Sequence, residues 1–322
     1  MADRTAQIGV VAIGRNEGAR LVRCLASVPP GLPIVYVDSG STDGSVAAAQ
    51  AAGARVVSLD MARPFTAARA RNEGWQALVE VHPRIDYVQF VDGDCEFESG
   101  WIADATAFLN AEPQFAVVCG RRRERFPQAS YYNRLCDAEW NTPVGEAEAC
   151  GGDALLRTAA LVAVGGYDGG LMAGEEPEMC LRLREQGWRI YRLDTPMTIH
   201  DAAMLRFGQW WTRARRSGFG YAQVWNATRR GHAPLYGREI SRAVVWAGAV
   251  PILALAGAVM IDWRFALIAP VLWSLQVLRY GRQVGMRKAA LFLVGKFAEL
   301  AGALGFLRRK LGGMPSHAIT YK

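Results

Sequence analysis

Tyr87-Val88-Gln89-Phe90-Val91-Asp92-Gly93-Asp94 decides how this chain is read. Its first five residues carry no charge, and all but Gln89 are β-branched or aromatic, so they read as a buried strand. The strand runs straight into two carboxylates separated by one glycine. Toward the N-terminus the same grammar recurs. Residues 8–13 form an apolar run that ends in Arg15-Asn16-Glu17-Gly18, and residues 34–37 form another that ends in Asp38-Ser39-Gly40-Ser41-Thr42-Asp43-Gly44. Residues 55–59 read as a further strand. Helical stretches fall at 19–27, 45–52, 65–81 and 101–110. This alternation predicts an α/β domain, Rossmann-like, with a parallel sheet covered on both faces. Ligands of such sheets bind beyond the carboxyl ends of the strands. Each polar cluster taken singly is ordinary turn and cap chemistry. Three after successive strands would gather at one edge and mark a site.

The Asp92/Asp94 pair suits a hard divalent cation, Mn²⁺ or Mg²⁺, shared with phosphate oxygens. Such an ion would neutralise charge that builds on a diphosphate leaving group. Nucleic-acid polymerases also use paired carboxylates, so the pair does not by itself name the reaction.

The chain has 322 residues, 51% hydrophobic and 21% charged, which excludes a disordered or low-complexity protein and allows one large domain or two smaller ones. Its net charge of +7 hides a division. From Ala202 onward there are 18 Lys+Arg against 3 Asp+Glu, a net +15, which leaves −8 on residues 1–201. The basic part brackets apolar stretches. Residues 243–261 are 19 without a charge and residues 265–278 are 14, joined by Asp262-Trp263-Arg264. Arg238 and Arg242 precede them, and Arg279, Arg282, Arg287 and Lys288 follow. By the positive-inside rule this is a transmembrane hairpin with both ends cytoplasmic. Residues 289–307 carry Lys296 and Glu299 three apart, on one helical face. A crossing there would leave Arg308-Arg309-Lys310 outside, so an amphipathic interfacial helix is expected. The charge pattern favours anionic lipid over nucleic acid. The six cysteines have no metal-ligand spacing, and residues 1–7 do not resemble an export signal, so reduced thiols in the cytosol are expected.

Further motifs join these. They are Ala70-Arg71-Asn72-Glu73-Gly74, Gly165-Gly166-Tyr167-Asp168, and Gly174-Glu175-Glu176-Pro177-Glu178. In this order, with the strand-end clusters, they resemble an inverting glycosyltransferase of family 2 with the GT-A fold, over residues 7–216. The resemblance implies that Glu17 and Asp38 hydrogen-bond the base and ribose of a nucleotide and that Arg71 helps to seat it. Asp92 would face ribose and metal, and Asp94 would bind the metal. Glu175-Glu176 aligns with a Glu-Asp motif whose Asp is the general base. Glu176 stands at that position with one extra methylene, so either glutamate remains a candidate. The alternative reading of both is charge at a helix N-terminus. His200 is either a further metal or diphosphate ligand or a structural residue. Gly151, Gly152 and Asp153 form either a close-approach loop for the donor sugar or a plain turn. Gln209-Trp210-Trp211-Thr212-Arg213 differs in order from the motif of processive members, so processivity is not expected. Trp210 and Trp211 are candidates for the acceptor side on an interfacial helix. Arg121-Arg122-Arg123 and Arg125 read as a solvated basic strand end or as phosphate contacts.

The expected arrangement is a GT-A catalytic domain over 1–205, interfacial helices over 206–242, a transmembrane hairpin over 243–280 and an amphipathic helix and tail over 281–322. The expected activity is that of a hexosyltransferase at the cytosolic face of the inner membrane. It would use a UDP- or GDP-sugar, a lipid-linked acceptor (a polyprenyl-linked saccharide or glycolipid) and Mn²⁺ or Mg²⁺. A nucleotidyltransferase and a non-catalytic nucleotide-sugar-binding membrane scaffold are the alternatives.

Overall fold

The structure, a computed structural model, describes residues 6–313. It falls into two compact units. The first comprises the chain up to Leu171 together with Glu175–Arg206, and the second comprises Met172–Gly174 together with the chain from Phe207 on.

The first unit opens with β1 (Ile8–Gly14), α1 (Ala19–Ala26), β2 (Ile34–Asp38), α2 (Ser45–Ala51), β3 (Arg55–Ser58), α3 (Ala67–Val81) and β4 (Tyr87–Asp92). The expected strands and helices are all present, with ends within one or two residues. The β1–β2, β2–β3 and β1–β4 pairs are parallel. Alternate residues of β1 supply two cores: Val11 and Ile13 pack on one face of the sheet, Val10 and Ala12 on the other. Burial on both faces is why these strands are unbroken apolar runs. Thr66 starts α3, its side chain accepting a hydrogen bond from Arg69 N at 3.0 Å.

The remaining elements are β5 (Cys95–Phe97), α4 (Trp101–Ala111), β6 (Phe115–Glu124), α5 (Tyr131–Trp140), β7 (Gly145–Ala147), β8 (Ala154–Arg157), α6 (Thr158–Ala163), α7 (Glu175–Glu185) and β9 (Arg189–His200). The sheet runs β3-β2-β1-β4-β8-β6-β9-β5, with β7 pairing β9. It is mixed, not wholly parallel as the first hundred residues suggested. The short β8 lies antiparallel between β4 and β6, a long-range pairing that local alternation does not encode. From β1 the chain steps to β2 and β3 on one side and to β4 on the other, so the topological switch point lies at the carboxyl ends of β1 and β4.

The second unit holds α8 (Phe207–Thr228), α9 (Gly237–Ala243), a π-helical turn (Val244–Ala249), α10 (Val250–Met260), a 3₁₀ turn (Trp263–Leu267), α11 (Ile268–Val284) and α12 (Met286–Leu311). Gly237–Met260 runs as one 24-residue helix, six residues longer at its N-terminal end than the uncharged run. That helix and α12 are both long and apolar enough to cross a membrane. The π turn has a local cause. Val250 N–H bonds Val245 O, five residues back. In that register Trp246 O would take its hydrogen bond from residue 251, which is proline and has no N–H. Trp273 Nε1 of α11 donates to Trp246 O instead, at 3.0 Å.

Helices α8 and α12 pack in parallel. Trp210 lies against Gly295, Arg215 O against Gly302, Phe219 against Phe306, and Asn226 accepts from Lys310. A methyl group on Gly302 would stand 2.0 Å from Arg215 O, and one on Gly218 would stand 2.0 Å from Glu299 O. Only glycine permits this backbone approach. Lys296 pairs with Glu299 at 2.7 Å, as their spacing implies. Residues 314–322, the end of the expected tail, lie outside the described residues, as do residues 1–5.

Candidate active site

Strand register gathers the polar clusters. Gly14 pairs with Asp38 and Ile13 with Asp92, so the Glu17, Asp38 and Asp92 loops leave the sheet side by side. Asp38 is buried, and its Oδ2 accepts from Gly40 N at 3.0 Å and Ser41 N at 2.9 Å, which shapes its own loop. Asn16 Oδ1 accepts from Thr42 N at 2.7 Å and ties the first loop to the second. Glu17 pairs with Arg20 at 2.8 Å.

Asp92 lies at the centre of a charged network. Its Oδ1 meets Arg71 Nη2 at 2.9 Å and its Oδ2 meets Arg122 Nη2 at 3.2 Å. Arg71 Nη1 in turn contacts Glu175 at 2.8 Å and Glu176 at 3.2 Å. One buried guanidinium therefore joins the acid after β4 to the acidic pair opening α7. Burial works against the charge on Arg71, but Glu176, Asp92 and Glu175 outweigh it and hold the group protonated. Burial alone would raise Asp92, yet Arg71 and Arg122 hold its carboxyl well below the usual range. Glu176 goes the other way. Burial and then Glu175 lift it to about 7, against the pull of Arg71.

Other expected site residues take different places. Asp153 is fully buried and faces inward. Its Oδ1 accepts from Asp92 N at 3.0 Å, and its Oδ2 accepts from Thr198 Oγ1 at 2.6 Å and Arg122 Nε at 3.0 Å. It braces Asp92. Gly152 is a close-approach glycine, but the group that approaches is Arg71: a methyl there would lie 2.3 Å from Nη2. Gly151 has open space on its Cβ side. Trp210 and Trp211 belong to the second unit, where Trp210 is buried against α12. Arg122, read from sequence as part of a solvated strand end or as a phosphate contact, is largely buried. Register shifts in β6 at Cys119/Arg121 and Arg121/Arg122 re-aim its side chain inward. Asn72 explains the residue after Arg71: it accepts from Tyr167 N at 2.9 Å and donates to Tyr167 O at 2.7 Å, clamping the Gly165–Tyr167 turn.

A second cluster lies one residue beyond. His200 at the end of β9 pairs with Cys95, which places its Nε2 3.3 Å from Asp94 Oδ2. Asp94, Cys95 and His200 offer ligand atoms within 4.8 Å of one another, as do Asp92, Cys95 and Asp153. The donor sets differ in kind. Asp92 and Asp153 are already matched by Arg122, whereas Asp94 and His200 present a carboxylate and an imidazole nitrogen to one point, a set that fits Mn²⁺ or Mg²⁺. Cys95 is held as a neutral thiol by burial and by Asp153, which suits a hard cation poorly.

This mixed sheet, with acids at its switch point and a buried acid pair beside them, has the GT-A fold of the solved glycosyltransferases it resembles. Residues 10–152 match the family model described as Glycosyl transferase family 2. Among curated proteins, the succinoglycan biosynthesis protein ExoA of Rhizobium meliloti (strain 1021) is 25% identical over 286 residues, 83% of this chain and 82% of that one. Among solved structures, the mannosyltransferase PcManGT from Pyrobaculum calidifontis, in complex with GDP-Man and Mn²⁺, superposes with a TM-score of 0.61. It is 18% identical, over 94% of this chain and 88% of that one. GalNAc-T7 with UDP, GalNAc and Mn²⁺ gives 0.51 at 16% identity, over 69% and 48% of the two chains.

Proposed function

We propose that this glycosyltransferase inverts configuration, moving a sugar from a nucleoside-diphosphate sugar to a hydroxyl of a lipid-linked acceptor in polysaccharide assembly at the cytosolic membrane face. The observation that carries the reading is the Asp92–Arg71–Glu175/Glu176 network, which couples an acid at the β4 switch point to a buried carboxylate poised near neutrality. Glu176 takes the proton of the acceptor hydroxyl as that oxygen attacks C1, and a base with a pKa of about 7 is matched to this work. Glu175 is the more enclosed of the two and stays with Arg71. Asp38 and Glu17 stand where nucleotide groups would bind. Asp94 and His200 would hold Mn²⁺ or Mg²⁺, and the ion, when bound, supplies positive charge opposite the donor diphosphate. The complexes of the two structural neighbours, one with GDP-Man and Mn²⁺ and the other with UDP, GalNAc and Mn²⁺, support that choice, and the ExoA name supports polysaccharide biosynthesis.

The second unit supports the lipid side. On α10, Leu253, Val259 and Met260 are 69–82% exposed, an apolar surface that suits hydrocarbon. Helix α12 satisfies a length test for crossing, but it lies parallel to α8, whose Arg213, Arg215 and Arg216 fall level with Glu299–Gly302. Inserting the pair would carry those arginines into the bilayer at about 2.5–3.5 kcal/mol each. The α8/α12 pair is therefore read as interfacial, and the crossings as Gly237–Met260 and α11.

Transfer assayed with the chosen nucleotide sugar, Mn²⁺ and lipid extract should yield a nucleoside diphosphate and glycosylated lipid, and both should vanish in Asp94→Ala. Pyrophosphate as product, or full transfer by that variant, would overturn the reading.

A further inference from the structure

His200 is enclosed by more than Asp94. Parallel pairing of β6 with β9 sets Glu124 opposite His200, and Glu124 is 5% exposed. Its Oε1 accepts from Phe126 N and from Asn133 Nδ2, both at 3.1 Å. Its Oε2 accepts from Ala202 N at 3.0 Å and stands 3.8 Å from His200 Nδ1, which has no hydrogen-bond partner. The Asn133 amide is oriented by Met204 N, which donates to its Oδ1 at 2.9 Å. Trp140 packs edge-on to the imidazole, 4.7 Å between ring centres.

We propose that Glu124 is a positioning residue for His200: it receives Nδ1–H and so presents the Nε2 lone pair to the Asp94 side. This rests on the reading of Asp94 and His200 as cation ligands. Every group within hydrogen-bond reach of the Glu124 carboxyl is a donor, so the side chain serves as an acceptor. An unprotonated Nδ1 would set lone pairs against that carboxylate, whereas Nδ1–H faces it favourably. The other nitrogen is then left without a proton, 3.3 Å from Asp94 Oδ2, where two lone pairs oppose each other until a cation lies between them. Closing the 3.8 Å gap by less than about 1 Å makes the Nδ1–H bond, a tightening common when a site is loaded. A carboxylate behind a ligating imidazole fixes both its tautomer and its ring angle.

The test uses the full chain in lipid nanodiscs, with imidazole ¹⁵N-labelled histidine, and compares wild type, E124Q, E124A and H200Q. The H200Q spectrum assigns the signal among four histidines. With Mg²⁺ added, wild type should show the Nδ1–H tautomer at His200, and E124A should lose that preference. E124Q keeps the shape of the side chain but offers one carbonyl oxygen to four donors, so it should fall between them. Mn²⁺ affinity, read from the EPR signal of free Mn²⁺, should fall about 10- to 100-fold in E124A. An Nε2–H tautomer in wild type would overturn the proposal. So would unchanged tautomer and Mn²⁺ affinity in both Glu124 variants. A Glu124-dependent Nδ1–H tautomer in a protein that binds no Mn²⁺ would uphold the positioning role and defeat the cation reading instead.

Discussion

At the scale of single residues the site is a chain of alternating charges, and Glu176 is the member whose protonation matters near neutral pH. Its carboxyl is raised from 4.5 to about 7 because burial and Glu175 penalise the charged form. Below that value it is protonated, and in the proposed role it could not accept the hydroxyl's proton. The rate of transfer should therefore rise with pH through about 7, and Glu176→Gln should flatten that limb and cost about 10²–10⁴-fold in kcat. Folding responds to the same shift with the opposite trend. A carboxyl raised in the folded state favours folding at low pH, and this contribution fades as pH climbs from about 4.5 to 7. Gly152→Ala should push the Arg71 guanidinium off Asp92. An activity loss of about 100-fold and a lowered melting temperature, because a buried ion pair is broken, are expected from rates measured beside calorimetry. The acids were legible in the sequence because they follow strands: Asp38, Asp92 and Asp94 sit where the pattern put them. Arg122 and Glu124 were not, because a charged run closing a strand looks solvated until bulges turn alternate side chains inward. Nor could the sequence show that Gly152 makes room for a guanidinium.

At the scale of elements, the first four parallel strands were readable because both faces of each are buried and each run is continuously apolar. The antiparallel insertion of β8, and the pairing that sets His200 beside Cys95 and Glu124, depend on partners far along the chain and left no local trace. Among the helices, Gly237–Met260 was legible from uncharged length as a helix able to cross a membrane, whereas the parallel contact of α8 with α12 came only with the structure. That contact is made by glycines and tolerates no substituent. Gly302→Ala would set a methyl 2.0 Å from Arg215 O and should destabilise the protein by about 1–3 kcal/mol. Gly305→Ala, three residues along, would meet only Phe219 at 4.0 Å and should be neutral or gain about 1 kcal/mol from helix propensity. Thermal unfolding of the two variants in the same detergent separates these outcomes.

At the scale of the whole molecule, the net +15 from Ala202 onward and the exposed α10 surface both fit an anionic bilayer. A hairpin of two crossings, with α8 and α12 lying in the interface, should leave the turn at Trp263 on the far side and the end of α12 on the near side. The six native cysteines are buried, so cysteines placed one at a time at Trp263 and Leu311 can report this. In intact cells an impermeant maleimide should label the first and spare the second, and labelling of both would show α12 to be a third crossing. Met172–Gly174 pack with the helices of the second unit, where Met172 N donates to Gln223 at 2.9 Å, and the very next residues are Glu175 and Glu176. The polypeptide therefore visits its helical part, returns, and leaves again, like a thread passed twice through one cloth. A fragment cut after Arg206 would keep the whole sheet yet strand that short loop without its partners, immediately upstream of Glu175 and Glu176, so the sheet-bearing part of this enzyme is not a separable piece.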